Sequence, residues 1–217
     1  MKYTLLYLLF FTTCFLVNAQ EKTTLILFTD SVKCPACIRL KTQVLNTDAG
    51  KKELKKFTSV ITADRSKPAT MTHPLVKQIR EQIPGRIRLP KAVIVGSDGK
   101  INGEISGFMP AGIYLKELQF YRDLPPLFQA VIRGTEEDVR RIMKDPGVCY
   151  VSPTGTTALI LAIQKKRSDA FLCTLIRLSD KNKISRQDMF LRDALFYAVE
   201  NDRQTIIPLL RTAVAGQ

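Results

Sequence analysis

Two cysteines separated by two residues lie where a predicted β-strand gives way to a predicted α-helix. Residues 22–28 are rich in β-branched and apolar side chains, which is typical of a buried strand. Cys34-Pro35-Ala36-Cys37 follows a short polar loop and opens a segment with helical spacing. Pro35 suits a first helical turn, because its missing N–H would have no partner there. This junction favours a fold in which helices pack on a sheet.

The spacing of the two cysteines predicts redox chemistry. It lets the Cys37 sulfur fold back onto Cys34, and it leaves Cys34 at the helix N-terminus, where unpaired N–H groups and the dipole favour thiolate. We expect Cys34 to attack a disulfide and Cys37 to resolve the mixed disulfide. A metal half-site is one alternative, but the only histidine is His73, and Cys149 and Cys173 lie far along the chain. An inert structural disulfide is another.

The rest of the first half alternates between strand and helix patterns. Further strands are predicted at 57–61, 91–95 and 101–106, and further helices at 74–83 and 110–121. A Gly- and Asp-containing turn joins the last two strands as a hairpin. Residues 20–123 are therefore predicted to form an α/β domain, with a mixed central sheet flanked by helices. The boundary falls before Pro125-Pro126.

Residues 21–122 resemble the thioredoxin fold. The resemblance implies that Cys34 and Cys37 are the redox pair and that Pro90 is the cis-proline facing them. It further implies that the backbone of Leu89 binds substrate, with Pro35 and Ala36 on the same substrate-binding surface. The implied partners are a protein thiol or disulfide substrate and a redox partner protein. No cofactor or metal is expected, because the cysteine pair itself carries the two electrons.

The cysteine loop departs from the family pattern. No Trp precedes Cys34, and Phe28 stands where thioredoxins keep a buried acid that accepts a proton from the second cysteine. A weaker base argues against an efficient general reductant, and the direction of electron flow stays open.

Basic residues flank both the cysteine loop and the proline loop. They are Lys33, Arg86, Arg88 and Lys91. If the two loops meet, these side chains form a basic rim that lowers the pKa of Cys34 and attracts acidic partner segments. A solvated surface without a particular partner is the alternative.

The second half of the chain is helical and repetitive. Ala130, Ala162 and Ala198 recur at similar positions, and residues 157–162 resemble the ankyrin Thr-Pro-Leu-His-x-Ala motif. We interpret residues 124–217 as an all-α domain of about three ankyrin repeats that binds a partner. The alternatives are an unrelated helical bundle, a stabilising cap and a dimerisation surface.

The N-terminus has the pattern of a secretory signal peptide. Lys2 precedes an apolar run over residues 5–16, and cleavage is expected after Ala19. An uncleaved anchor and a lipoprotein start at Cys14 are the alternatives. Cleavage predicts a periplasmic or secreted protein without an integral membrane segment. The formal net charge of +13 then indicates attraction to acidic surfaces or acidic partners rather than to nucleic acid, and a solvated basic surface without a particular partner is the alternative.

Three further residues with reactive side chains are expected to have non-catalytic roles. Cys149 and Cys173 are expected to be core fillers or a structural pair in the repeats. His73 is expected to be a capping or surface residue. The sequence therefore predicts an exported thiol–disulfide oxidoreductase, and the alternative is a redox-inactive or redox-sensing binding scaffold.

Overall fold

The computed structural model describes residues 22–83 and 85–215, so the predicted signal peptide lies outside the described residues. The strands are β1 (Thr24–Thr29), β2 (Ser59–Asp64), β3 (Lys91–Val95) and β4 (Ile101–Ser106). The first four helices are α1 (Pro35–Leu40), α2 (Asp48–Leu54), α3 (Pro74–Gln82) and α4 (Ala111–Asp123). A π-helical turn at Lys41–Leu45 extends α1, and a 3-10 helix at Pro68–Thr72 precedes α3.

The four strands form one mixed sheet in the order β2-β1-β3-β4. β1 pairs in parallel with β2, with Thr29 beside Asp64, and antiparallel with β3, with Phe28 beside Lys91. β3 and β4 form the predicted antiparallel hairpin. The C-terminal ends of β1 and β2 lie beside the N-terminal end of β3. Three loops therefore meet at this end of the sheet: those after β1 and β2 and the one before β3. The structure confirms the mixed sheet with helices.

Helices cover both faces of the sheet because its buried residues alternate between two apolar clusters. Leu25, Leu27 and Ile94 point toward the cluster that α1 and α4 complete. Ile26 and Val93 point toward the opposite cluster, completed by α3.

Helix α2 has no counterpart in the sequence prediction. Its sequence Asp-Ala-Gly-Lys-Lys-Glu-Leu carries almost no apolar periodicity. Thr47 nevertheless caps it, because its hydroxyl accepts a hydrogen bond from the Gly50 N–H at 3.0 Å. Gly50 lies so close to the Val44 carbonyl that a Cβ there would overlap it. Helix α2 therefore forms because of its cap and its tertiary contacts rather than because of an apolar sequence pattern.

The C-terminal half is all helical, as expected. Its helices are α5 (Pro126–Arg133), α6 (Glu136–Ile142), α7 (Ala158–Gln164), α8 (Asp169–Leu178), α9 (Lys181–Ile184), α10 (Ala194–Glu200) and α11 (Ile206–Ala215). They form the pairs α5/α6, α7/α8 and α10/α11. The first helices of the pairs contact one another in the order α5-α7-α10, and the second helices do so in the order α6-α8-α11.

One hydrogen bond recurs between successive helix pairs. The Arg167 guanidinium donates to the Gly134 carbonyl at 2.6 Å, and the Arg203 guanidinium donates to the Arg167 carbonyl at 2.7 Å. Each arginine follows the first helix of its pair and reaches back to the equivalent loop of the pair before it. The recurrence shows that the pairs are built on a common plan.

The helical half packs directly on the α/β half. The Glu117 carboxylate of α4 accepts hydrogen bonds from the Ser152 hydroxyl at 3.0 Å and from the Thr154 N–H at 3.1 Å. Burial raises the pKa of Glu117, against the opposing effect of these bonds. Leu127 and Phe128 of α5 belong to the same apolar cluster as the core below α4. None of the helices in the described ranges combines the length and apolar character that crossing a bilayer requires.

Candidate active site

Cys34 and Cys37 form a disulfide at the N-terminus of α1, with their Cα atoms 5.2 Å apart. Cys34 is the N-cap residue, and its sulfur accepts a hydrogen bond from the Cys37 N–H at 3.1 Å. Its carbonyl accepts from the Ile38 N–H at 3.1 Å. Cys37 is 3% exposed, whereas Cys34 is half-buried. The sulfur at the start of the helix is therefore the accessible one of the pair.

Two buried carboxylates shape the loop before Cys34. Asp30 accepts hydrogen bonds from the N–H groups of Val32 at 3.0 Å and of Lys33 at 2.7 Å. Asp64, at the end of β2, accepts from the Ser31 N–H at 3.1 Å and thereby ties this loop to the neighbouring strand.

Hydrogen bonds also keep the Asp64 carboxylate ionised. Burial alone would raise its pKa, but bonds from Ser31 and Ser66 outweigh burial and hold the pKa below its usual range. Sequence analysis missed Asp64, because only the parallel pairing of β1 with β2 brings it to this loop.

The Leu89–Pro90 peptide bond is cis. Pro90 is buried, and its carbonyl accepts a hydrogen bond from the Gly107 N–H at 2.8 Å. Gly107 has φ 81°, a left-handed conformation that favours glycine. The chain after β4 is thereby held against the start of β3, beside the loop that carries Leu89.

Leu89 and Cys34 line the same cavity, which has a volume of about 740 Å³. The structure therefore brings together the predicted nucleophile and the predicted substrate-binding residue. Pro35 is exposed and Ala36 is half-buried, and both lie outside the lining of this cavity. They flank Cys34 on the helix side.

The basic rim differs in composition from the prediction. Lys33, Arg86 and Arg88 line the cavity with Cys34, as expected for loops that meet. Lys91 lies outside the cavity lining, because its ammonium group pairs with the Glu104 carboxylate at 2.7 Å on the neighbouring strand.

A different cation, Arg65, belongs to the basic rim in place of Lys91. Arg65 follows β2 and lines the cavity. Sequence analysis missed it for the same reason as Asp64, because the end of β2 meets the cysteine loop only in the folded sheet.

Phe28 occupies the β1 position where thioredoxins keep a buried acid, and its surroundings are apolar. Phe28 is 1% exposed and packs with Ile26, Ala63 and Val93 below the loop. Strand β1 therefore provides no carboxylate to accept a proton from Cys37.

Apolar side chains border the cysteine pair on the solvent side. Val32 is 70% exposed and Ile38 is 45% exposed. Arg39 of α1 lies over the Phe108 ring at 5.2 Å from its centroid and joins α1 to the chain after β4. The surroundings of the disulfide thus combine exposed apolar groups with cations.

The remaining candidates lie apart from this site. His73 caps α3, with its Nδ1 accepting a hydrogen bond from the Leu75 N–H at 3.2 Å, as expected. Cys149 and Cys173 are free thiols, so they are not a structural pair. The expectation of a core filler is wrong for Cys149, which is exposed in the long loop between α6 and α7. Cys173 lies half-buried in α8.

The mixed sheet, the cysteine pair at the start of α1 and the cis-proline loop beside it define the thioredoxin-like class of fold. Residues 16–122 match a family model described as "Thioredoxin-like domain". The N-terminal half of the chain is therefore a thioredoxin-like domain.

The chain is similar to several solved structures, and two of these similarities are distant in sequence. One is to "DsbH Oxidoreductase", with 16% identity over 48% of this chain and 74% of that chain and a TM-score of 0.37. The other is to a thioredoxin from Thermus thermophilus, with 22% identity over 52% of this chain and 76% of that chain and a TM-score of 0.34. Both TM-scores lie below 0.5, so the domain assignment rests on the family model and the fold. No curated protein matches the chain.

Proposed function

We propose that the protein is an exported thiol–disulfide oxidoreductase that acts on protein thiols and disulfides through Cys34 and Cys37. The observation that supports this most directly is the asymmetry of the pair. The accessible sulfur lies at a helix N-terminus in a cavity shared with Leu89, and its partner is buried one turn further in. Such an arrangement separates a nucleophile from a resolving thiol.

The reaction follows from thiol–disulfide exchange. The Cys34 thiolate attacks one sulfur of a substrate disulfide, forms a mixed disulfide and releases the other substrate sulfur as a thiolate, which takes a proton from water. The Cys37 thiolate then attacks the Cys34 sulfur, which re-forms the Cys34–Cys37 disulfide and releases the second substrate thiolate. Two electrons pass to the substrate. A redox partner protein restores the dithiol, and the reverse sequence oxidises a substrate dithiol.

The proline loop supplies the substrate-binding side of the site. The backbone of Leu89 is proposed to hold the substrate segment beside Cys34, and Pro90 is proposed to shape the loop that presents it. Pro35 and Ala36 would contact the substrate from the helix side. The role of Leu89 is supported by the cavity that it shares with Cys34, and the role of Pro35 is supported by its exposure to solvent.

We further propose that residues 124–217 form about three ankyrin repeats that bind a protein partner. The stacking of three helix pairs supports this assignment. So does Thr157, which caps α7 by accepting a hydrogen bond from the Ile160 N–H at 3.1 Å at the start of the motif-like segment. Met189, Phe190 and Leu191 are exposed apolar side chains of the kind that a partner covers.

Export is proposed from the N-terminal sequence pattern, with cleavage after Ala19 and a periplasmic or secreted destination. Mass spectrometry of the mature protein tests this proposal. A chain that retains residues 1–19 would contradict it.

Insulin reduction in the presence of dithiothreitol tests the proposed activity. The wild-type protein should accelerate it over dithiothreitol alone, and Cys34→Ser should abolish the acceleration. Cys149→Ser, which removes an exposed thiol far along the chain, is the matched control and should remain active. In a separate incubation without dithiothreitol, reduced Cys37→Ser should accumulate a mixed disulfide with insulin, which later addition of dithiothreitol releases. An absence of turnover would favour the alternative of a binding scaffold, in which the disulfide is inert, and turnover that persists in Cys34→Ser would contradict the proposed nucleophile.

The direction of electron flow is tested by the reduction potential of the cysteine pair. A value near about −270 mV indicates a reductant, and one near about −120 mV indicates a disulfide donor.

A further inference from the structure

We propose that the cavity beside Cys34 binds an acidic segment of the protein substrate and so selects substrates whose disulfide is flanked by Asp or Glu. This inference rests on the proposed redox function of Cys34 and adds the chemical class of the substrate. Four cationic side chains line the cavity. They are Lys33, Arg65, Arg86 and Arg88.

The negative charge that these cations face is small. Asp30 is the one carboxylate in the cavity lining, and its Oδ1 already accepts the N–H groups of Val32 and Lys33. Asp64 lies beneath the loop at 4% exposure and is engaged by Ser31 and Ser66. The cavity therefore presents a clear excess of positive charge to solvent.

The four cavity cations are exposed and have no ionic partner, unlike several less exposed arginines of the fold. Arg122, Arg133, Arg192 and Arg203 each pair with a carboxylate. Within residues 22–83 and 85–215, no ion pair involves any of the four cavity cations. Like charges that line one cavity repel one another, and an anionic ligand relieves that repulsion.

The cationic surface continues past the first cavity. A second cavity, of about 150 Å³, shares Arg65, Arg86, Ile87 and Leu89 with the first and adds Arg80. Positive charge thus continues from Cys34 past the proline loop, next to apolar contacts from Ile87 and Leu89. A polypeptide segment with carboxylates on several residues near its cysteine fits this shape better than a compact disulfide does.

The test compares two synthetic peptides that carry the same intramolecular disulfide. One has Asp and Glu around the cysteines, and the other has Asn and Gln at the same positions. The reduced full-length protein is mixed with each peptide, and the second-order rate constant of peptide reduction is measured. Glutathione disulfide and hydroxyethyl disulfide provide a small anionic and a small neutral substrate. Taking the acidic-to-neutral ratio within one protein cancels changes in the reactivity of Cys34 itself.

Charge reversal identifies the residues responsible. Arg86→Glu with Arg88→Glu reverses two exposed cavity cations, and circular dichroism checks that the variant folds. Arg177→Glu with Arg186→Glu is the matched control, because both are exposed arginines without an ion pair in the helical half and the change in net charge is identical.

We expect the acidic peptide to react on the order of tenfold faster than the neutral one at low salt. The preference should fade as salt is raised toward about 1 M, where screening acts within about 3 Å. It should vanish in the Arg86/Arg88 variant and persist in the Arg177/Arg186 variant.

Three outcomes would overturn the proposal. One is an acidic-to-neutral ratio near one in the wild type, and a second is a ratio that survives reversal of Arg86 and Arg88. The third is a preference confined to glutathione disulfide, which would assign the cavity to a small anionic disulfide. If hydroxyethyl disulfide is reduced in those cases, the redox function stands and only the acidic selectivity fails. If no disulfide reacts with the protein, the proposed function fails with it.

Discussion

The contact between Arg133 and Asp98 joins the two halves of the chain. The Arg133 side chain, at the end of α5, donates to Asp98 through Nε at 2.7 Å and through a terminal nitrogen at 2.9 Å. Asp98 lies in the turn between β3 and β4. Asp98→Asn keeps an oxygen that can accept the Lys100 N–H and removes the negative charge. The substitution therefore isolates the ion pair that holds α5 against the hairpin.

The hydrogen bond from Arg133 lowers the pKa of Asp98 from its ordinary 3.8 to about 2. For a buried group such a change corresponds to roughly 2.5 kcal/mol at neutral pH. The Asp98 side chain is 38% exposed, so solvent screening reduces the expected loss in Asp98→Asn to about 1 kcal/mol.

The pH dependence of the stability follows from the lowering of the Asp98 pKa in the folded state. A carboxylate with a lowered folded-state pKa stabilises the fold above its unfolded pKa, and that stabilisation is lost as the pH falls through the folded value. Urea unfolding at pH 7 should show Asp98→Asn less stable by about 1 kcal/mol, and at pH 3 the difference should be about half as large. Arg133→Gln and the double variant complete a cycle with a coupling energy of similar size. This reasoning would be refuted by a loss of stability that is equal at pH 7 and pH 3. It would also be refuted if the losses of the two single variants added up to the loss of the double variant.

Three other substitutions test packing, loop anchoring and capping by urea unfolding at pH 7. Gly103→Ala should cost about 2 kcal/mol because its methyl group would overlap the buried Tyr121 ring, whereas Gly112→Ala, which meets open space, should be nearly neutral; equal costs would contradict the steric account. Asp64→Asn should cost about 2 kcal/mol by removing the negative charge that strengthens the hydrogen bonds anchoring the cysteine loop, and the difference should shrink as the pH falls, since the Asp64 pKa is lowered in the fold; a pH-independent cost would argue against it. Thr157→Ala should cost about 1 kcal/mol by removing the cap of α7, and an unchanged midpoint would show that the cap is dispensable.

Strong patterns in the sequence predicted most of the elements around the site. The apolar runs of β1 and β3 and the helix that begins at Pro35 fall within a residue or two of their predicted positions. The two strands bury most of their side chains, and α1 buries Cys37 and Leu40 on one face, so local pattern and tertiary environment agree. Helix α2 was missed because its polar residues carry no such pattern, and its position depends on contacts with α4 and with the turn that precedes it.

Sequence reasoning also placed the cysteine pair beside the proline loop. Cys34 and Leu89 share a cavity as expected, because both flank strands that pair with each other. The basic rim was predicted in part. Lys91 was expected in it, but its first position on β3 allows it to reach Glu104 across the hairpin. Arg65 was absent from the prediction because it is distant in sequence from either loop.

By itself, the sequence determined the chemistry that is present: two cysteines one helical turn apart, a proline before a buried strand, and no carboxylate in the first strand. These features depend on residue type and on spacing within a single segment. The tertiary structure alone decided that Asp64 and Arg65 lie beside the cysteine loop, that Lys91 does not line the cavity, and that the helical half packs on α4 and β4. Those outcomes depend on strand order and on contacts between residues tens of positions apart, which the pattern of any one segment does not contain.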